Sequence, residues 1–274
     1  MTSEARAAAG EVRDSPWVSA LGRFGWLAVG GSFALVGVLA LKLAFGEGGS
    51  ATSREGALAR IASESFGKVL LILLAIGFAG YALWRFVEAL LDRSNEGDRP
   101  KGLAKRAKSL GIGVVYAGLT FTAIKILAGS GASTSQNREA RKTTAEILSW
   151  PKGTWIVGFA GLCLIAAGLT NGYRGVTQKF AESWKTGEMS TAARTWAIRI
   201  GTVGWLARMV VFGLIGVFLI KAAVEYDPQD AIGLDGALQK LAQQSYGSWL
   251  LGLVAVGLIA YALYCLVEAR FGDV

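Results

Sequence analysis

Six apolar runs alternate with polar stretches along the chain, at 24–45, 68–91, 110–128, 154–172, 198–224 and 249–268. A helix needs about 20 apolar residues to cross a hydrocarbon layer about 30 Å thick, so each run predicts one transmembrane helix. All four prolines, Pro16, Pro100, Pro151 and Pro228, fall outside the runs. The backbone ladder is therefore unbroken where no water could replace a lost hydrogen bond. Within the polar stretch 46–66, Leu58, Ile61 and Phe66 recur at near-helical spacing and predict a short amphipathic helix over 53–66 lying in the interface. Residues 1–21 mix Ala, Ser and charges of both signs without the apolar core of a signal peptide, and are expected to form a mobile cytoplasmic tail.

The runs are not independent. Gly22, Gly25, Trp26, Phe33, Gly37 and Lys42 recur at one constant offset as Gly201, Gly204, Trp205, Phe212, Gly216 and Lys221. Gly67, Gly77, Tyr81 and Glu88 recur as Gly247, Gly257, Tyr261 and Glu268. A more divergent middle copy emerges when Lys125 is set on Lys42, which brings Arg106 onto Arg23 and Gly113 onto Gly30, and when Gly153 is set on Gly67, which brings Arg174 onto Glu88. Internal repetition constrains architecture more firmly than local propensity does. The predicted fold is an all-α membrane protein of six transmembrane helices, arranged as three parallel repeats of a helix pair with short interfacial helices in the outer loops. The repeats span 22–91, 110–174 and 198–271, joined by a basic cytoplasmic loop at 92–109 and a second cytoplasmic loop at 175–197. Copies separated by an even number of spans share one orientation, so a pseudo-three-fold axis along the membrane normal is the simplest arrangement.

Composition agrees with this reading. Hydrophobic residues make up 53% of the chain, charged residues only 18%, and there are 37 glycines, a balance expected of a polytopic membrane protein. The net charge of +8 is spread between the apolar runs and forms no continuous face, which argues against nucleic acid as a partner. Fifteen cations, including Arg93, Arg99, Lys101, Lys105, Arg106 and Lys108, fall on the side of the two termini. Eight fall on the other: Arg54, Arg60, Lys68, Arg138, Arg141, Lys142, Lys152 and Lys240. The positive-inside rule then places both termini in the cytoplasm of a multi-pass protein of the cell membrane. The partners implied are the lipid bilayer and other membrane proteins. The two cysteines, Cys163 and Cys265, differ in depth by roughly 12 Å of helix, too far for a disulfide, and are expected to be free, buried thiols.

Three tandem helix pairs, each with a glycine-rich and aromatic first helix and a second ending in a Tyr-Ala-Leu-aromatic stretch, resemble a bacterial integral membrane protein family of unknown function defined by that triplicated pair. The resemblance covers about Pro16 to Phe271 and is most specific at 227–238, where the run Gly233-Leu234-Asp235-Gly236-Ala237-Leu238 is similar to the family's third outer loop. First helices in the family often carry an arginine a few residues after an aromatic. Here Arg208 fills that role, with Val29 and Ile112 at the matching positions. The resemblance implies a topology and no catalytic residues.

Few side chains are candidates for chemistry. Histidine is absent, which removes the commonest general base and transition-metal ligand, and no carboxylates pair deep in a span. No catalytic, cofactor-binding or metal-binding residue is therefore predicted, and no cofactor. Glu88 and Glu268 are the only acids inside apolar runs, and intramembrane ionisable groups are functional candidates by default. Each lies at the cytoplasmic end of its helix, where an interfacial ion pair with Arg23 or Arg199 is favoured over a proton relay. Arg208 sits thirteen residues before Lys221, roughly 20 Å of helix, and is predicted to pair with Glu268 inside the membrane. Lys42, Lys125 and Lys221 occupy equivalent positions near the outer helix ends; spacing puts them off the small-residue face, as lysines snorkelling to headgroups would be. Trp26, Trp155, Trp205 and Trp249 read as an aromatic belt. Glu225, Asp227, Asp230 and Asp235 lack the Ca²⁺-loop spacing and read as a turn, with Asp235 capping a short helix.

The expected function is that of a non-catalytic membrane scaffold or partner-binding protein, not an enzyme; the alternative is a transporter or channel for a small solute, an anion among the candidates. The topology is directly testable. Single cysteines at Ser53, Ser135 and Gln229 should react with a membrane-impermeant reagent in intact cells, and cysteines at Ser94 and Ser183 should not. The reverse labelling pattern would invert the orientation.

Overall fold

Six long helices carry the apolar runs. In the computed structural model, which describes residues 16–46, 58, 67–90, 100–129, 136–182, 184 and 189–272, they are α1 (Pro16–Ala44), α2 (Gly67–Leu90), α3 (Pro100–Leu127), α5 (Gly153–Thr177), α6 (Thr191–Val224) and α8 (Gly247–Phe271). All six are long and apolar enough to span a bilayer. Two shorter helices, α4 (Gln136–Leu148) and α7 (Leu234–Ala242), lie in the outer connections. Residues 1–15 and nearly all of the amphipathic segment 53–66 lie outside the described residues, apart from Leu58, which is fully buried.

Three spans start earlier than hydropathy predicts. Helix α1 begins at Pro16, eight residues before its apolar run, so residues 16–21 are helix and not a mobile tail. Helix α3 begins at Pro100, ten residues before its apolar run, where a proline in the first turn loses no hydrogen bond. Residues 100–109 are therefore helix and not loop. Helix α6 begins at Thr191, its first turn capped by the Ser190 hydroxyl, which accepts from the Ala193 N–H at 3.2 Å.

The spans pack as a ring with one seam. Helix α1 packs on α2 and α8, α2 on α3, α5 on α6, and α6 on α8. Contacts between copies follow one plan. A Cβ on Gly37 would meet Ile259 Cγ1 at 2.7 Å and the Ala255 carbonyl at 3.1 Å, and a Cβ on Gly216 would meet Ile165 Cγ1 and the Gly161 carbonyl, each at 2.7 Å. Gly37 and Gly216 are equivalent in the repeat, as are Ile259 and Ile165, so α1/α8 and α5/α6 are one interface used twice. Contacts within a copy also repeat. The Gly25 Cα faces Tyr81, whose Cα would lie 2.8 Å from an added Cβ, and Gly204 faces Tyr261 with the corresponding distance 2.6 Å. Small residues admit this close backbone approach, the main source of helix association in lipid.

The middle copy lacks that crossing. At the position of Gly25 and Gly204 it carries Lys108, and at the position of Gly77 and Gly257, which press on Ala28 and Ala207, it carries Cys163. A long charged side chain and a bulkier one stand where two copies need glycine, and α3 and α5 do not pack side by side. Nothing lies within 4 Å of a Cβ placed on Gly111, and Cys163 is exposed, not buried as expected, while Cys265 is buried and free. In each of α3 and α5, 22% of the membrane-length window is buried, against 44% in α1, 50% in α2 and 56% in α8.

Aromatic rings fill the interior. Trp26 and Trp205, expected at the interfaces, are each only 7% exposed, because each lies beside a crossing glycine and turns inward with it. Trp26 meets Tyr81 edge-on at 5.6 Å, Phe33 meets Tyr261 at 4.9 Å, and Tyr81 meets Tyr116 at 4.7 Å. Trp155 and Trp249 do face outward. If the crossing holds the bundle, Gly204→Ala should lower stability in detergent by about 1 to 3 kcal/mol, since the atoms met are backbone and cannot swing aside. Gly213→Ala, which meets nothing within 4 Å, should be neutral or stabilising by up to about 1 kcal/mol. Equal effects of the two substitutions on thermal unfolding would remove the crossing from its central place.

Candidate functional site

Two arginines enter the ring, and equivalent tyrosines hold both. Arg85 on α2 donates to the Tyr81 hydroxyl at 2.6 Å and to the Glu88 carboxylate at 2.7 Å, and its guanidinium lies 4.3 Å above the Trp84 ring. The Ser109 hydroxyl of α3 donates to the same Glu88 oxygen at 3.0 Å. Arg208 on α6 donates to the hydroxyl of Tyr261 on α8. Rings surround its guanidinium: Tyr261 at 4.5 Å, Phe212 at 5.3 Å, Trp205 at 5.4 Å and Phe33 at 5.7 Å. Aromatic faces are the strongest apolar partners available to a desolvated cation, worth about 2 kcal/mol each at best.

Glu268 is not the partner of Arg208. Its carboxylate accepts from the Trp184 indole N–H at 2.8 Å, and it lies seven residues beyond Tyr261 on α8, about 10 Å along the axis. The other expected ion pairs are absent as well. Arg23 is exposed and lines a groove of about 690 Å³ together with Arg270, while Glu88, assigned to it from the sequence, is occupied by Arg85 and Ser109. Arg199 is exposed, with its guanidinium 5.4 Å from the Trp196 ring. Helix-end proximity suggested these pairs, but Glu88 is held by Arg85 and Ser109, Glu268 by Trp184, and Arg199 lies beside Trp196 on its own helix.

The three lysines are all exposed, in the last turns of α1, α3 and α6. Lys125 lies 4.7 Å over the ring of Phe121, one turn earlier. Lys221 pairs with Asp230 at 3.0 Å and Glu225 at 3.5 Å, and its ammonium holds the Asp230 carboxyl below the usual carboxylate range. Asp227 caps the 3-10 turn Pro228–Asp230 by accepting from the Gln229 N–H at 2.8 Å. Asp235 is not a cap: Gly233 holds that position, and Asp235 is buried within the first turn of α7. Three of the four acids of this loop are thus spent on turns and a lysine.

The groups missed from sequence are Arg85, Lys108 and Arg174 as one cluster. Lys108 lies within electrostatic reach of Arg174, Arg85, Arg208 and Glu88, and the Arg174 guanidinium lies 5.8 Å from the Trp205 ring. Glu268 lies within electrostatic reach of Arg85 as well, so four cations face two carboxylates in this part of the ring. The Nε–H groups of Arg85 and Arg208 are buried without a hydrogen-bond partner among the described residues. The signal was present: Arg85 falls inside an apolar run three residues before Glu88.

Six membrane-length helices in three tandem pairs around a packed aromatic interior define a polytopic α-helical membrane protein. The chain belongs to the family described as a domain of unknown function (DUF1206), whose model matches it three times, over 24–92, 107–178 and 203–272. The starts of the three matches reproduce the register read from Lys42, Lys125 and Lys221, the middle copy included. The chain is 34% identical over 257 residues to the uncharacterized protein YxxB of Bacillus subtilis (strain 168), covering 93% of this chain and 92% of that relative. No solved structure matches it.

The partnerships of Arg208 can be read by a double-mutant cycle in detergent. Arg208→Met and Tyr261→Phe should couple by about 1 kcal/mol, as residues sharing a bond do, whereas Arg208→Met and Glu268→Gln should be additive within about 0.5 kcal/mol. Strong coupling to Glu268 would show that the carboxylate does reach the guanidinium.

Proposed function

We propose that the protein is a non-catalytic scaffold of the cell membrane, with both termini in the cytoplasm, lipid around it and other membrane proteins as its partners. The interior carries this reading. Where a conduit would run, Tyr81, Tyr116, Tyr261, Tyr264, Trp26 and Trp205 stand in mutual ring contact, and glycines bring neighbouring backbones together on either side. Lys42, Lys125 and Lys221 are exposed, and Lys221 is paired with Asp230 and Glu225. The thinly covered spans α3 and α5 leave apolar side chains such as Val114, Phe159 and Leu162 exposed, surface that lipid or another membrane protein can cover.

The second reading, a carrier or channel for a small anion, is favoured by one observation: Lys108, Arg174 and Arg208 have no ion-pair partner among the described residues. Reconstitution separates the two. Vesicles containing the purified protein and an anion-sensitive dye should show nitrate and chloride entry no faster than protein-free vesicles. Entry above that background, abolished by Arg208→Met, would replace the scaffold with a conducting protein.

A further inference from the structure

We infer that the seam between α3 and α5 is an oxyanion site, filled in the membrane by the phosphate of an acidic phospholipid. The inference starts from what the middle copy changes. Copies one and three carry glycine where this copy has Lys108, and glutamate, as Glu88 and Glu268, where it has Arg174. The first change removes the contact that closes the helix pair. The second replaces a carboxylate by a guanidinium at the same depth. A gap and a local excess of positive charge therefore arise at one place, from two positions of one repeat.

The donors there are unspent. Neither Lys108 nor Arg174 has a hydrogen bond or ion pair among the described residues, and both are exposed. Behind them, Arg85 is 14% exposed at its side chain, and Arg208 is held by a neutral phenol in place of a carboxylate. Among the described residues no acid lies within ion-pair distance of Arg208, Lys108 or Arg174. A cation left in the low-dielectric interior without a counter-charge is costly, and Lys108, Arg174 and Arg208 repel one another. An anion with several acceptor oxygens relieves both penalties, since guanidinium forks and an ammonium match phosphate oxygens.

The lipid source follows from position. The seam opens between two spans and lies towards the membrane face that holds both termini, where Lys108 stands eight residues from the start of α3 and Arg174 three from the end of α5. That face also carries the larger share of cations. Basic pockets between helices at this depth suit an anionic headgroup, and the exposed apolar flanks of α3 and α5 suit its acyl chains. Free phosphate offers the same oxygens without the chains.

The test uses the purified full-length protein in a neutral detergent and reads thermal unfolding. Dioleoyl-phosphatidylglycerol should raise the midpoint in a concentration-dependent way, as a ligand of the folded state must, while dioleoyl-phosphatidylcholine should not. Inorganic phosphate at the same concentrations should give little or no rise; an equal rise would keep the oxyanion site and overturn its lipid occupant. Lys108→Gln and Arg174→Gln together should weaken the phosphatidylglycerol effect by about tenfold or more in concentration, the scale of lost charge-assisted bonds. Arg174→Glu, which restores the acid of the other two copies, should abolish it. Both side chains are exposed, so the lipid-free midpoint should stay near that of the parent. Arg23→Gln with Arg270→Gln, at the other basic groove, should leave the lipid effect intact. A lipid effect retained by the seam variants, or lost equally in the groove variant, would overturn the proposal. The midpoint reads binding and vesicle entry reads conduction, so the scaffold reading and the seam site fail separately.

Discussion

The crossing of a glycine on a tyrosine is the contact on which the rest of the structure depends. In lipid the hydrophobic effect gives helices no reason to associate, and close van der Waals contact must supply it. Gly25 on Tyr81 and Gly204 on Tyr261 bring two backbones together and leave the tyrosine ring nowhere to go except inward. The Tyr81 ring then meets Trp26 and Tyr116, the Tyr261 ring meets Phe33, Trp205 and Tyr264, and the interior becomes aromatic as a consequence of the crossing. The tyrosine hydroxyls, carried inward with their rings, become the polar groups to which Arg85 and Arg208 bind. Packing and electrostatics here are one arrangement seen from two sides.

That dependence explains what could be read from sequence. The repeat was legible because packing glycines and the tyrosines they face must recur wherever the crossing recurs, and its register matches that of the family. The arginines were less legible. Comparison of copies finds what is shared, and Arg85 is matched by Cys265, Arg208 by Val29 and Ile112. Trp26 and Trp205 were read as interfacial because a tryptophan near a span's end sits there in most membrane proteins; the neighbouring glycine, which turns both inward, was read only as packing. Residues 100–109 were read as loop because hydropathy detects apolar runs and not the helix, and the first ten residues of α3 include Lys101, Lys105, Arg106 and Lys108.

The pairing of Arg208 shows how a charge is accommodated without a counter-charge. A carboxylate partner would itself have to be desolvated, at a cost that can exceed the attraction it returns. A ring of aromatic faces and one phenol asks for no second ion, and these side chains were already buried by the crossing. Glu268 is treated in the same manner, with a neutral indole donor from Trp184. Two groups that the sequence invites one to join are instead each solvated by aromatic residues, with their charge kept.

A ring built from three identical copies would close at every pair and present lipid with a continuous apolar wall. Divergence of one copy is the simplest way to break that symmetry, and its position determines where the break falls. Had Lys108 appeared in a copy that kept its glutamate, the ammonium and the carboxylate could have compensated each other at the opening. Had Arg174 appeared in a copy that kept its glycine, the guanidinium would have lain beside a closed crossing. Only the two together produce an opening with charge left over, and that excess has no complement among the described residues of the chain. A phospholipid phosphate is the proposed complement, and in a membrane protein the headgroup layer is a ready supply of fixed negative charge.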